Sequence, residues 1–196
     1  MLNRLAVLFL MFAAAAPAAA QAPKARAEAV FAGGCFWCTE SDFDKIPGVL
    51  STTSGYTGGK LLNPTYEQVS AGGTGHIEAL RVVFDPSKVS YAALATRFFR
   101  TVDPVDAEGQ FCDRGYQYRS AIFVADPEQR RIAEAAKAQA ARGLKVPGKV
   151  ETLILPAAKF YPAEDYHQNY YKKNPVRYRL YRFSCGRDAR LKKVWG

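Results

Sequence analysis

The run from His76 to Phe84 restricts the possible folds of this 196-residue chain more than any other stretch. Ile77, Ala79, Arg81 and Val83 fall on one side of a two-residue repeat, and Glu78, Leu80, Val82 and Phe84 on the other. That period predicts a strand, which Asp85-Pro86 should end. Glu78 therefore shares a face with three apolar residues. A carboxylate placed there is costly unless it is paired or protonated, which makes Glu78 the most conspicuous acid in the chain. The plainer alternative is a strand-end position still open to water.

The elements around this strand can be read in turn. Ala27 to Ala32 is a short apolar run, predicted as a buried strand, and Phe36 to Ile46 a helix that Pro47-Gly48 stops. Val49 to Tyr56 has strand composition, and Asn63-Pro64-Thr65 opens a turn or short helix. Ser90 caps a helix carrying Leu94, Phe98 and Phe99, and Asp126-Pro127 starts another through Arg142. Asp103 to Gly115 reads as a polar loop of functional length. Further strands are expected over 118–124 and 150–155, and a helix over 162–171. Strands alternating with helices suggest an α+β or mixed-sheet sandwich. No G-x-G-x-x-G or P-loop occurs, so nucleotide binding has no support.

The first strand delivers Gly33-Gly34-Cys35-Phe36-Trp37-Cys38 to a helix start. Free N–H groups and the helix dipole there favour a thiolate, and two aromatic side chains would wall it in. A buried packing cysteine is the bland alternative. The chain has four cysteines, the other two being Cys112 and Cys185, and two histidines, His76 and His167. This is too few for a disulfide scaffold and a poor donor set for zinc, so no metal is expected. Thr39 stands where covalent haem attachment would need a histidine.

Residues 1–20 join a basic start, an apolar run and a small-residue end, the pattern of a cleaved secretory signal; a retained N-terminal anchor is the alternative. The formal charge is +9, and it is unevenly placed. Residues 21–171 hold 17 Lys and Arg against 17 Asp and Glu, whereas residues 172–196 hold nine against one. This tail, interleaved with aromatics, is read as a solvated wrapping segment, with no nucleic acid partner and no stable membrane insertion.

At this point the motifs become recognisable together. Gly34-Cys35-Phe36-Trp37, Gly55-Tyr56-Thr57-Gly58-Gly59, Asn63-Pro64-Thr65-Tyr66-Glu67, Thr74-Gly75-His76-Ile77-Glu78, Gln117-Tyr118-Arg119-Ser120 and Phe160 to Gln168 follow one another in order. The chain resembles the A-type peptide methionine sulfoxide reductases over nearly all of residues 21–196. The resemblance implies a ferredoxin-like two-layer α/β sandwich with a mixed sheet and a long C-terminal wrapping tail. It implies catalytic roles for Cys35 as nucleophile and Glu78 as acid. Phe36 and Trp37 would hold the S-methyl group, and Tyr66, Asp113 and Tyr118 the sulfoxide. It also implies action on the S epimer, in peptides and free, without a bound cofactor.

The chemistry of the residues agrees. A sulfoxide has a poor leaving oxygen, so a thiolate must attack sulfur while an acid protonates oxygen. Cys35 can do the first and Glu78 the second, leaving a cysteine sulfenic acid. Departures from the family pattern are Cys38 in place of a glycine, Val102-Asp103-Pro104-Val105 in place of His-Asp-Pro-Thr, Cys112 in the loop before Asp113, and a single tail cysteine, Cys185; the cysteine changes bear on the recycling half. Cys185 is the favoured resolver, on a mobile tail that could fold over the site, followed by Cys38 and then Cys112. A monomer exported to a bacterial periplasm, repairing oxidised proteins and recharged by a thioredoxin-like reductant, is the expected setting. A thiol–disulfide oxidoreductase and an aromatic binding module are the competing classes.

Overall fold

The computed structural model describes residues 25–196, so the signal read over 1–20 lies outside the described residues. The chain runs β1 (Ala27–Gly33), α1 (Phe36–Phe43), β2 (Val49–Thr57), α2 (Tyr66–Ser70), β3 (Ile77–Phe84) and α3 (Tyr91–Phe99). A small hairpin, β4 (Gly109–Gln110) and β5 (Asp113–Arg114), is followed by β6 (Ser120–Val124), α4 (Pro127–Gly143), β7 (Leu153–Pro156) and β8 (Tyr161–Pro162). Three helices end it: α5 (Tyr170–Lys173), α6 (Pro175–Ser184) and α7 (Arg187–Trp195).

The main sheet has the order β7-β6-β1-β3-β2-β8. β6 and β7 are parallel and the other neighbours antiparallel, so the sheet is mixed and the class α+β. Alternation divides its side chains as the sequence requires. Ala29, Phe31, Leu80, Val82, Phe84, Ile122 and Val124 pack on one face against Phe43, Leu94, Phe98 and Ala133 of the helices. Ala32, Ile77, Ala79, Ala121 and Phe123 form a smaller core on the other face. Local signals place the helices: Ser90 Oγ accepts from Ala93 N–H at 3.1 Å, and an Asp126 carboxylate oxygen from Gln129 N–H at 2.7 Å. Pro127 sits in the first turn of α4, where no donor is missed.

Two expectations about the C-terminal part are corrected. Residues 162–169 are not helical. Tyr161 and Pro162 instead pair with Tyr56 and Gly55 on the edge of the sheet. Gln168 Nε2 donates to Ser54 O and Ala163 O, its Oε1 accepts from Ser54 N–H, and Asn169 turns the chain at a φ of 54° before α5 begins. These side-chain bonds tie the segment to β2 and satisfy the Ala163 carbonyl without a helix.

The basic tail is likewise not a solvated, mobile strap. It forms α6 and α7, with Tyr178, Arg187 and Val194 buried. Its cations find acids on the body: Arg182 lies 2.9 Å from Asp42, and Arg190 2.6 Å from Asp103. Val176, Leu180 and Phe183 stay on its open side. Among the described residues no helix is long and apolar enough to cross a membrane.

Candidate active site

β1 ends at Gly33, and Gly34 turns the chain at a φ of +76°, a region costly for residues with a Cβ. A Cβ there would also lie 2.5 Å from Gln110 Cβ. The turn sets Cys35 as the residue that caps α1, with Cys38 one turn further on. Cys35 is 7% exposed and Cys38 2%.

A small cavity opens above this helix start. It is lined by Cys35, Phe36 and Trp37, by Tyr66 of α2, Glu78 of β3, Asp113 of β5, Tyr118, and Tyr181 of α6. Cys35, Phe36, Trp37, Tyr66, Glu78, Asp113 and Tyr118 were singled out in the sequence, and five separate segments bring them together. Cys112 and Cys185 do not line the cavity. Tyr181 was read as part of a solvated tail, and only its place in an aromatic-rich basic run hinted at more.

Glu78 is buried, 2% exposed, which excludes the water-open alternative. Its Oε2 accepts the Phe36 backbone N–H at 3.0 Å. Burial pushes its carboxyl up to about 8 against the pull of that N–H, and Asp113 adds a further upward push. A carboxyl raised this way is suited to donate a proton near neutral pH. Asp113 is also raised by burial, opposed by the hydrogen bond it accepts from Tyr181 Oη. Burial pushes the Tyr66 hydroxyl up to about 12 and that of Tyr118 higher still, so both remain donors.

The aromatic wall is held from behind. Trp37 Nε1–H donates to His167 Nδ1 at 3.0 Å, and its ring stacks on Tyr170 with centroids 3.7 Å apart. His167 also touches the rings of Phe36 and Tyr66 at 4.9 and 4.5 Å. Glu164 accepts from Tyr66 N–H at 2.8 Å and from Tyr56 Oη at 2.9 Å, tying α2 to the loop after β8. Sequence reading missed the positioning roles of His167 and Glu164, because their partners are about 100 or more residues away.

The thiols differ from the expected pattern. Cys35 was expected to be an ionised thiol at a helix start, but burial raises its pKa well above the ordinary value, with Cys38, Glu78 and Asp113 adding to the rise. Cys38 is pulled down to about 7 by a hydrogen bond with Cys35, against desolvation, with Arg187 and Arg182 assisting. Cys112 and Cys185 form a disulfide with Cα atoms 4.9 Å apart, while Cys35 and Cys38 are free. The bond anchors the C-terminal end of α6 beside β5, so Cys185 does not ride on a loose tail. Cys112 is exposed. Cys112, Asp113 and Cys185 bring three ligand atoms within 4.8 Å of one another, but sulfurs joined in a disulfide cannot ligate a metal as thiolates.

The chemistry open to this cavity is attack by sulfur on an apolar-flanked centre that carries an oxygen in need of a proton. Comparison with known proteins agrees with that chemistry. The pattern of the peptide methionine sulfoxide reductase family matches residues 27–196. A peptide methionine sulfoxide reductase MsrA 2 of Caulobacter vibrioides is 55% identical over 199 residues, covering all of both chains. One from Rhizobium meliloti is 55% identical across 86% of this chain and 83% of its own length. Among solved structures, methionine sulfoxide reductase A of Corynebacterium diphtheriae is 37% identical with a TM-score of 0.67, covering 77% of this chain and 76% of that one. Reduced Mxr1 of Saccharomyces cerevisiae is 31% identical with a TM-score of 0.69, covering 79% of this chain and 89% of its own. The sheet, the cavity and these likenesses agree: the chain belongs to the A-type peptide methionine sulfoxide reductase family.

Proposed function

We propose that the protein reduces methionine S-sulfoxide, in peptides and as the free amino acid, and so repairs oxidised exported proteins as a monomer. The observation that carries this reading is Glu78 buried in the same aromatic cavity as Cys35, where burial raises its carboxyl towards the protonated form.

In this reading the S-methyl group rests against Phe36 and Trp37, where apolar surface leaves water. Tyr66 and Tyr118 donate to the sulfoxide oxygen, and Asp113 orders that side of the cavity. Cys35 sulfur attacks the substrate sulfur and releases its proton as it does so, which relieves the cost of ionising a buried thiol in advance. Glu78 supplies a proton to the oxygen. The oxygen ends on Cys35, methionine leaves as the thioether, and the cysteine sulfur is oxidised by two electrons to a sulfenic acid.

Cys38 then attacks the Cys35 sulfur. A disulfide forms and the hydroxyl leaves as water, taking a proton. Cys38 replaces Cys185 as our first choice of resolver because Cys185 is already bonded to Cys112. A dithiol reductant of the thioredoxin kind restores the thiols, with the exposed Cys112–Cys185 bond as an outer exchange point. The N-terminal signal pattern and a disulfide compatible with an oxidising compartment support export to the periplasm. No bound cofactor enters any step.

The test is single turnover of a peptide carrying methionine-S-sulfoxide by the protein with Cys35 and Cys38 reduced, the Cys112–Cys185 bond intact and no free reductant present. We expect one methionine per Cys35 and none from Cys35→Ser. Full activity in that variant overturns the reading.

A further inference from the structure

The cavity explains Cys35 and Glu78 but leaves a buried cation beside it without a task. Arg187, the first residue of α7, is 2% exposed. Its Nη2 donates to Gly33 O at 3.2 Å and to Thr101 O at 2.7 Å, and its guanidinium lies 4.5 Å from the centre of the Phe111 ring. Neutral carbonyls and a ring do not cancel a buried charge. Among the described residues its nearest carboxylate oxygen, Asp42 Oδ2, is 4.0 Å away, and neither that oxygen nor Arg187 Nε has a hydrogen-bond partner there. The other oxygen of Asp42 is taken by Arg182 at 2.9 Å. Arg182 and Arg187 therefore share one carboxylate, that of the partly buried Asp42. Asp188, which also pairs with Arg182, is two-thirds exposed and screened by water.

Cys38 is joined to these two arginines through Asp42 on its own helix and through Tyr178. It lies one turn before Asp42 on the same side of α1, in the third position of that helix, where the dipole also favours an anion. It packs against Tyr170 of α5 and Tyr178 of α6, and Tyr178 Oη accepts from Arg182 at 3.1 Å. The other acids bearing on it are Cys35, Glu78 and Asp42. The first two hold their protons because they are buried. Asp113, also in the field of Arg187, is itself raised by burial.

We propose that Arg187, seconded by Arg182, is a positioning residue that holds the Cys38 side chain as a thiolate for attack on oxidised Cys35. The two thiols of Cys-x-x-Cys then divide their work by charge. Cys35 stays protonated until the sulfoxide arrives, and Cys38 is ionised before the sulfenic acid forms. Hydroxide leaves from Cys35 as the Cys38–Cys35 bond forms, and a proton completes water. The C-terminal helices thus supply the charge for the second half of the cycle. The hydrogen bond with Cys35 lowers Cys38 most, and the pull of Arg187 and then Arg182 adds to it against desolvation and Asp42.

The inference rests on Cys38 as resolver, and the experiment separates the two. In Cys35→Ser, with Cys112–Cys185 intact, Cys38 is the one free thiol, and its thiolate absorbance can be titrated without turnover. We expect Arg187→Met to move the midpoint up by at least one pH unit and Arg187→Lys to retain most of the parent value. In the Cys35 enzyme, Arg187→Met should lower the ratio of sulfenic acid decay to methionine release about tenfold at pH 7, with recovery towards pH 9. An unmoved midpoint overturns the proposal. If Arg187→Met does not fold, Arg182→Met must shift the midpoint the same way or the proposal fails. If Cys38→Ser still consumes the sulfenic acid at the parent rate, the resolver reading falls while the titration result stands.

Discussion

Glu78 on β3 and Phe36 on α1 are 42 residues apart, yet one carboxylate oxygen of Glu78 accepts the Phe36 backbone N–H at 3.0 Å. This bond aims the acid at the helix start that carries Cys35. It leaves the other oxygen able to carry the proton.

The pH dependence of the reduction step follows from it. With Glu78 raised to about 8, methionine release in single turnover should be flat from pH 6 to 7 and fall tenfold per unit well above pH 8. Glu78→Gln should lower the rate by about 100-fold or more at pH 7. A wild-type profile rising steadily through pH 9 would remove Glu78 as the proton donor.

The same shift has a cost in stability. A carboxyl whose folded pKa lies above its unfolded value of about 4.3 binds more protons folded than unfolded between the two values. Its stabilisation is complete below pH 4 and is lost as pH rises towards 8. Glu78→Gln, which keeps the shape and removes the ionisation, should therefore gain stability on the order of a few kcal/mol at pH 8 and little at pH 4. Urea midpoints at the two pH values check this.

Trp37→Phe should act on substrate binding. It removes the donor to His167 and part of the stack on Tyr170. A loss of about 1–2 kcal/mol is expected, read as about a tenfold fall in kcat/KM. An equal fall in the rate of sulfenic acid decay would place Trp37 in a different step.

Reduction of the Cys112–Cys185 bond should soften the C-terminal helices. The bond closes a separation of 73 residues, for which the chain-entropy argument gives about 4 kcal/mol. Cys112→Ser with Cys185→Ser should lower Tm and speed proteolysis within 170–196. After one turnover that variant should contain a Cys35–Cys38 disulfide, identified by mass spectrometry of its peptides. Its absence would return the resolver role to the outer cysteines.

The periods of individual strands and helices are readable from the chain because each depends on neighbours two to four residues away. The alternation across Ile77–Phe84, the cap at Ser90 and the Asp126-Pro127 start all lie in the structure where such local rules put them. The stretch before α5 misled because Gln168 and Glu164 bond to β2 and α2, and no local pattern reports a partner about 100 residues away. Tyr181 and Arg187 were hidden for a related reason. In composition they belong to a basic tail, and only packing turns them inward.

The residues by themselves mark out an α+β protein with Cys35 and Glu78 as site candidates, and the resemblance carried by its motifs adds Phe36, Trp37, Tyr66, Asp113 and Tyr118. Which thiol holds its proton depends on burial and on charges from other elements. Cys38 lies beside Cys35 and under the influence of two arginines, while Cys185 is bonded to Cys112. These are relations between segments distant in sequence, set when α6 and α7 close over the start of α1.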